Sequence, residues 1–238
     1  MNKKYLLIDN IPAIIWGEES NKIFIAIHGN KSSKEDSVIE IFSQVAVKNG
    51  YQVLSFDLPQ HGERKSEDIL CKVENCVQDL NSVLHYAKTL SNDISLFACS
   101  IGAYFSLLTY KNESIAQSLF LSPLVDMISL INNMMLSFNI SNEELEFKKE
   151  ILTPIGETLY WDYYCYVKEN PIVEWKSKTS ILYGDKDNIT DFKTISDFSS
   201  KYLCNLDILE NGEHFFHTEN QLSYFKEWLT NNIYINPN

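Results

Sequence analysis

A serine stands at the boundary between two apolar stretches of different character. Residues 94–98 predict a short buried strand, and residues 101–110 are apolar almost all round, as in a buried helix. The chain must reverse between them, which the small residues Ala98 and Gly102 permit. A serine at such a strand-to-helix turn projects its hydroxyl out of the sheet, at a helix N-terminus whose N–H groups favour negative charge. This position predicts that Ser100 is a nucleophile.

Two other interpretations of this turn stay open from the local sequence. The motif reads A-x-S-x-G, whereas the usual nucleophile-elbow pattern is G-x-S-x-G. Ser100 could instead only cap the helix that follows, because serine is a favoured N-cap residue. Cys99 is another possible nucleophile, but Gly102 sets the register and places the apex of the turn two residues before itself, at Ser100.

A serine hydroxyl needs a base, because it is a poor nucleophile at neutral pH, and the base needs a partner that holds its orientation and tautomer. Histidine suits the role of base since its unperturbed pKa lies near neutrality. His214 follows the last predicted strand, and Asp187 follows the strand before it. We therefore predict that Ser100, His214 and Asp187 act together.

Alternatives exist for both partners of the serine. His217 competes with His214 as the base, and His214 is preferred because it comes sooner after the strand and follows the small Gly212. Asp185 and Asp126 are alternatives for the acid. Other side chains that could do chemistry are expected instead to organise a loop or to lie on a helix, namely His61, Arg64 and His85.

Strands and helices alternate along the chain, which predicts an α/β fold with a mostly parallel sheet covered on both faces. The first two strands are expected to be antiparallel and to form the sheet edge, and the central strands are continuously apolar. In such sheets, reactive residues collect at the carboxyl ends of the strands. The predicted strands are residues 5–8, 11–16, 23–27, 51–56, 94–98, 116–121, 180–183 and 204–209, and the main predicted helices are residues 33–49, 73–87, 101–110 and 191–202, with a last one after a capping box at 218–221.

The alternation is interrupted from residue 124 to about residue 178. Residues 127–136 predict an apolar helix, and residues 160–166 are densely aromatic. We interpret this segment as a cap inserted into a single domain that spans residues 1–238, while ordinary core packing of its aromatic side chains is the alternative. The residues assigned to an apolar substrate pocket are His28, Met134, Met135, Tyr160, Trp161 and Tyr164.

Composition restricts the partners of the protein. Lys and Arg number 20 and Asp and Glu number 32, which gives a formal net charge of −12 at pH 7. Nucleic acid is therefore an unlikely partner, because its binding depends on neutralising phosphates, and polyanionic substrates are disfavoured for the same reason. The 5 cysteines lack the spacing of a disulfide framework or a zinc site. No apolar run approaches the length of a membrane span, and we expect a cytoplasmic protein.

Five short motifs resemble those of the α/β-hydrolase superfamily, in that family's order and spacing. They cover most of the chain outside the insertion, and residues 58–64 are also similar to a loop of esterases near the dienelactone-hydrolase and prolyl-oligopeptidase-like groups. The five motifs are His28-Gly29-Asn30, residues 57–62, residues 98–102, residues 184–187 with an aspartate three positions after the glycine, and residues 212–215.

This resemblance implies a catalytic order of Ser100, Asp187 and His214. It also implies an oxyanion hole made by two backbone N–H groups, those of Asn30 and Ile101, while His28 is expected to brace its loop rather than react.

The expected activity is that of a serine hydrolase acting on an uncharged or apolar carboxylic ester, a small molecule, through an acyl-enzyme. This chemistry requires no metal and no organic cofactor. A thioesterase, an acyltransferase or an aminopeptidase would use the same three side chains, since a fold does not determine the substrate. A ligand-binding protein that has lost turnover is the alternative from a different class.

Overall fold

The computed structural model describes residues 1–234, which form ten β-strands and eight α-helices. The strands are β1 Lys3–Ile8, β2 Ile11–Trp16, β3 Lys22–Ile27, β4 Gln52–Phe56, β5 Asp93–Cys99, β6 Ser118–Leu121, β7 Glu150–Leu152, β8 Thr158–Tyr160, β9 Thr179–Gly184 and β10 Asn205–Leu209. The helices are α1 Ser37–Lys48, α2 Val73–Leu90, α3 Ile101–Thr109, α4 Met127–Ser137, α5 Asn142–Lys148, α6 Trp161–Glu169, α7 Phe192–Tyr202 and α8 Glu219–Asn232.

The chain is divided into two compact units. The first contains residues 1–125 together with the described residues from Glu174 onward, and the second contains residues 126–173. The larger unit holds the main sheet and five of the helices, and the smaller holds α4, α5, α6 and the β7–β8 hairpin. No helix within residues 1–234 is both long enough and apolar enough to cross a membrane.

The main sheet has eight strands in the order β1-β2-β4-β3-β5-β6-β9-β10. β2 pairs antiparallel with both β1 and β4, and every other neighbouring pair in this sheet is parallel. The prediction of a mostly parallel sheet with an antiparallel edge is therefore confirmed. Because the parallel strands end at the same edge, the loops after β3, β4, β5, β9 and β10 leave the sheet together.

The central strands are buried on both faces. Residues 23–27 of β3 have no exposed surface, as expected for a continuously apolar strand. On one face, Phe24 and Phe97 join a core cluster with side chains of α1 and α8. Phe42 of α1 stacks on Phe97, with ring centroids 4.0 Å apart. This core fixes the strands from whose ends the functional loops emerge.

Helix starts follow the capping side chains. The first predicted helix begins at Ser37 rather than at residue 33, because the Asp36 carboxylate accepts a hydrogen bond from the Ile39 amide and sets the N-terminus there. The predicted capping box is present at the start of α8, where Thr218 and Gln221 exchange hydrogen bonds. The short hairpin of β7 and β8 was not predicted, because each strand has only three residues.

The smaller unit has its own buried contacts. Asp126 caps α4 by accepting hydrogen bonds from the backbone and the hydroxyl of Ser129. Within this unit, α4 contacts α6, and the rings of Trp161 and Tyr164 are stacked with centroids 5.5 Å apart. Its bounds lie inside the predicted insertion of residues 124–178.

Candidate active site

Ser100 lies at the turn between β5 and α3 in a strained conformation. Its φ of 47° and ψ of −118° are unusual for a residue with a side chain and carry a penalty of about 1–3 kcal/mol. Three backbone hydrogen bonds hold this conformation: the Ser100 amide donates to Leu121, and the Ser100 carbonyl accepts from Ala103 and Leu124. The Ser100 side chain makes no capping hydrogen bond to α3, so the interpretation of Ser100 as a simple helix cap is wrong.

Gly102 allows this turn to lie against the end of β3. A β-carbon at Gly102 would be 2.5 Å from the His28 carbonyl oxygen and 2.9 Å from the Ile27 carbonyl oxygen. These are backbone atoms that cannot rotate away, so the position excludes every larger residue. Gly29 is also near the serine, since its β-carbon would be 3.3 Å from that of Ser100, a tight contact but not an overlap. The loop after β3 therefore runs directly beside the serine.

Three side chains from distant positions form one chain of hydrogen bonds. The Ser100 Oγ lies 2.8 Å from His214 Nε2, and His214 Nδ1 lies 2.7 Å from Asp187 Oδ2. Because a carboxylate only accepts, Nδ1 carries the proton and Nε2 is left to accept from the serine hydroxyl. This arrangement can move a proton from the hydroxyl to the imidazole.

The Asp187 carboxylate is held rigidly in the interior. Its side chain is fully buried, and Oδ1 accepts hydrogen bonds from the backbone amides of Ile189 and Thr190 at 2.8 Å and 3.0 Å. Oδ2 is left to His214. Two fixed donors on one oxygen therefore aim the other oxygen at the imidazole.

A close approach between two glycines brings the loops after β9 and β10 together. A β-carbon at Gly184 would be 2.3 Å from the Gly212 carbonyl oxygen, and the Lys186 amide donates to that same oxygen. Asp185 contributes to this junction, because its carboxylate accepts a hydrogen bond from the Asn211 amide at 2.7 Å. Asp185 therefore joins the loops, while Asp187 contacts His214.

His28 is fully buried behind the serine turn. Its Nε2 accepts a hydrogen bond from the Leu58 amide at 3.0 Å, and its Nδ1 lies 2.7 Å from the Gly29 carbonyl oxygen, to which it donates. Burial lowers the pKa of His28 to about 4, so the ring is neutral near neutral pH. The structure places His28 as a brace between two loops, away from any surface that a substrate could touch.

The loop after β4 contains a buried ion pair that sequence reasoning missed. The Asp57 carboxylate is fully buried and contacts the backbone amide and the ammonium group of Lys34, each at 2.8 Å. Gly62, with a φ of 53°, passes so close that its β-carbon would overlap that carboxylate. Arg64 is also buried and pairs with Glu67 and Asp79. An ion pair between residues far apart in sequence leaves no periodic pattern. The only sign of this pair in the sequence was an aspartate, Asp57, directly after a strand.

The predicted oxyanion donors are the amides of Asn30, in the loop after β3, and of Ile101, at the start of α3. Ile101 is the first residue of α3, and amides in the first turn of a helix have no partner within the helix. Asn30 follows Gly29, and its side-chain oxygen lies 3.1 Å from both the Lys31 amide and His61 Nε2. The Asn30 side chain is thus fixed by its neighbours.

Two other histidines, His217 and His85, make no hydrogen bond to Ser100. His217 is half exposed, with Nδ1 2.8 Å from the Phe215 carbonyl oxygen and 3.4 Å from the Glu213 carboxylate. His85 is exposed on α2. Neither belongs to a metal site, because residues 1–234 contain no group of three or more potential ligands among His, Cys, Asp and Glu that could hold a metal ion.

The remaining predicted pocket residues all lie in the smaller unit. Met135 and Tyr164 are buried. The others are half exposed, and they are Met134, Tyr160 and Trp161. Their assignment to a substrate pocket stays a prediction.

This chain is similar to several solved structures. No protein-family model matches it, and no curated protein sequence matches it. Est1E from Butyrivibrio proteoclasticus with ferulic acid bound has a TM-score of 0.79 at 20% identity, covering 96% of each chain. Alpha/beta hydrolase domain-containing protein 10 from mouse has a TM-score of 0.78 at 14% identity, covering 98% of each chain.

A third similar structure is the Pyrococcus furiosus esterase Pf2001, with a TM-score of 0.66 at 19% identity over 97% of this chain and 92% of that chain. All three comparisons extend over nearly the full length of the chain. They agree with the resemblance found in the sequence motifs. The chain has the α/β-hydrolase fold.

Proposed function

We propose that this protein is a serine hydrolase that cleaves uncharged carboxylic esters through an acyl-enzyme. The observation that carries the proposal is the unbroken hydrogen-bond chain from the Ser100 hydroxyl through His214 to the buried Asp187 carboxylate. A protein that only binds a ligand would not need a strained turn at Ser100 or an imidazole held in hydrogen-bond contact with the serine hydroxyl. Structural similarity to esterases supports the same class.

In the proposed reaction, Ser100 attacks the acyl carbon as His214 Nε2 takes its proton. Asp187 stabilises the resulting imidazolium and keeps the ring oriented. The backbone amides of Asn30 and Ile101 donate to the oxyanion, and each such donor contributes roughly 3 kcal/mol. His214 then returns the proton to the leaving alcohol, which departs as the acyl-enzyme forms. Water next attacks the acyl carbon as His214 takes a proton from it, and His214 returns that proton to the Ser100 oxygen as the carboxylic acid leaves.

The proposed substrate class follows from charge and from similarity. The net charge of −12 disfavours a polyanionic acid, which leaves neutral esters as the favoured substrates. One of the similar structures holds ferulic acid, which supports including esters of aromatic acids among the test substrates.

The experiment is a turnover screen with the purified full chain. Its substrates are p-nitrophenyl esters of increasing acyl length, a feruloyl ester, an acyl thioester and an aminoacyl amide. We expect ester hydrolysis with a burst of p-nitrophenol, and no turnover in Ser100→Ala. His217→Ala is the matched control and is expected to retain wild-type turnover, since His217 has no contact with Ser100 or Asp187 among its hydrogen bonds.

The same screen separates the alternatives. If the protein hydrolyses the thioester or the aminoacyl amide but no ester, the proposed ester specificity is wrong, whereas the proposed serine mechanism still holds. Folded protein that turns over none of these substrates would favour the ligand-binding alternative. Activity that survives Ser100→Ala would contradict the proposal altogether.

A further inference from the structure

Two cysteines lie side by side at the start of α2. The residue that caps this helix is Lys72, so Cys71 occupies the position just before the cap and Cys76 the fourth helical position. These two positions face each other at many helix starts. Here their sulfur atoms are 3.7 Å apart, and both cysteines are free thiols.

The two thiols have different surroundings. Cys76 is fully buried, whereas Cys71 is only half buried and its backbone amide donates to the Gln60 side chain. The contact with Cys76, together with His61 and Arg64, lowers the pKa of Cys71 to about 6, although burial opposes this shift. Burial raises the pKa of Cys76 well above its usual value. At neutral pH the pair therefore consists of one accessible thiolate and one protonated thiol.

His61 interacts with Cys71, and its surroundings favour the protonated ring. Its Nδ1 lies 2.8 Å from the Pro59 carbonyl oxygen, and its Nε2 lies 3.1 Å from the Asn30 side-chain oxygen. Both partners are acceptors, so the ring is favoured in the doubly protonated form. Burial opposes this charge, but interaction with Cys71 and Pro59 outweighs burial and raises the pKa of His61.

Two other cysteines, Cys99 and Cys204, lack this activation. Burial raises the pKa of Cys99 well above its usual value, and it raises the pKa of Cys204 to about 11. Because thiolates and not thiols react with oxidants, these two are much less reactive than Cys71. Cys204 serves as an internal control.

We propose that Cys71 and Cys76 form a redox modification site that a hydroperoxide converts into an intramolecular disulfide. The Cys71 thiolate attacks the peroxide oxygen that carries hydrogen, the O–O bond breaks, and the departing alkoxide or hydroxide takes a proton from solvent, which leaves a sulfenic acid on Cys71. The Cys76 sulfur then displaces that hydroxyl group, its thiol proton leaves with it as water, and the S–S bond forms. The two thiols lose two electrons in total, and the peroxide gains them.

The geometry requires only a local movement. The sulfur atoms must approach from 3.7 Å to about 2.0 Å, the length of a disulfide bond. Cys71 lies in the irregular segment before α2, where its side chain can rotate, while Cys76 is held by the helix. The disulfide closes a loop of only a few residues, so a thiol reductant is expected to reverse it readily.

The test is mass spectrometry of the full chain after mild treatment with hydrogen peroxide. We expect the protein to become lighter by two hydrogen atoms and to regain them with dithiothreitol. Peptide mapping should place the cross-link between Cys71 and Cys76, with both protected from iodoacetamide until reduction. Cys76→Ser should leave a sulfenic acid on Cys71 that dimedone traps, and Cys204→Ser should behave as the wild type.

Three results would overturn the proposal, each measured on protein that circular dichroism shows to be folded. The first is that both cysteines still react with iodoacetamide after peroxide treatment. The second is a cross-link that joins other cysteines or two chains. The third is oxidation of Cys71 to sulfinic acid while Cys76 stays a free thiol. None of these readouts depends on hydrolase activity, so the outcome is independent of the proposed function.

Discussion

Two histidines follow strands at the same edge of the sheet, yet their surroundings differ. His28 follows β3 and has no exposed surface, and both of its ring nitrogens are bonded to backbone groups. His214 comes after β10, its side chain is 15% exposed, and its nitrogens contact the side chains of Ser100 and Asp187. Position after a strand therefore does not distinguish a structural histidine from one proposed to be catalytic. The two differ in the partners of their ring nitrogens.

The same contrast holds for two buried aspartates. The Asp57 side chain is fully buried against the Lys34 ammonium group, a permanent cation whose pKa is raised by that contact and by Glu63 in spite of burial. The Asp187 side chain is equally buried but faces an imidazole, whose charge can change during a reaction. The β3–β4 half of the sheet edge is thus proposed to be a fixed support, and the β9–β10 half to carry the proton transfer.

The largest expected effect separates His214 from its neighbour. Replacing His214 by alanine removes the proposed base, and kcat for ester hydrolysis should fall by roughly 10⁵-fold or more, as losses of a base in such triads do. The measurement is steady-state hydrolysis of a p-nitrophenyl ester. His217→Ala is the control, and a result in which His217→Ala is inactive and His214→Ala is active would show that the base was assigned to the wrong histidine.

The next effect separates the two aspartates. Asp187→Asn should lower kcat by about 10⁴-fold with little loss of stability, because the amide favours the wrong imidazole tautomer. Asp57→Asn should instead destabilise the protein by about 3–5 kcal/mol, because it removes the buried counter-charge of Lys34 and leaves only the exposed Glu63 carboxylate to pair with it. Denaturant unfolding and kinetics on both variants test the contrast. Equal loss of kcat per folded molecule in the two variants would abolish the proposed division of roles.

The smallest effect concerns the pH dependence of stability. The pKa of His28 is lowered from its ordinary value near 6.5 to about 4, because burial disfavours the charged ring. Below pH 6.5 the unfolded chain binds a proton that the folded protein resists, so the free energy of unfolding should fall between pH 6.5 and 4, by at most about 3 kcal/mol. Denaturant unfolding across this range measures the loss.

His28→Gln should remove that part of the pH dependence, since glutamine does not titrate. His85→Gln is the matched control, because His85 is exposed on α2 and should leave the profile unchanged. Carboxylates also titrate in this range, so the comparison is between variants rather than within one profile. Identical pH profiles for His28→Gln and the wild type would contradict the assigned role of His28.

The sequence predicted the main elements because their signals are local. Continuous apolar runs located the central strands, and the small Gly102 located the turn at Ser100. The contact of Ser100 with His214 could be expected only through the order of strands and the family resemblance, since 114 positions separate the two residues. Local patterns thus placed each loop, and the topology brought the loops together.

What the sequence did not predict depends on side chains that meet across loops. Asp36 moved the start of α1, and the pair of Lys34 with Asp57 joins two loops 23 positions apart. The contact between Cys71 and Cys76 was likewise unseen, because two cysteines five positions apart show no recognised spacing. Such contacts depend on how the loops pack against each other, and they leave no periodic pattern in the sequence.

The most direct test of the account is labelling of the folded protein with a fluorophosphonate, followed by peptide mass spectrometry. We predict stoichiometric attachment to Ser100, strong slowing in His214→Ala, and no attachment in Ser100→Ala. His217→Ala should label at the wild-type rate. Attachment at another residue, or no attachment to folded wild-type protein at neutral pH, would contradict the claim that Ser100 is a nucleophile activated by His214.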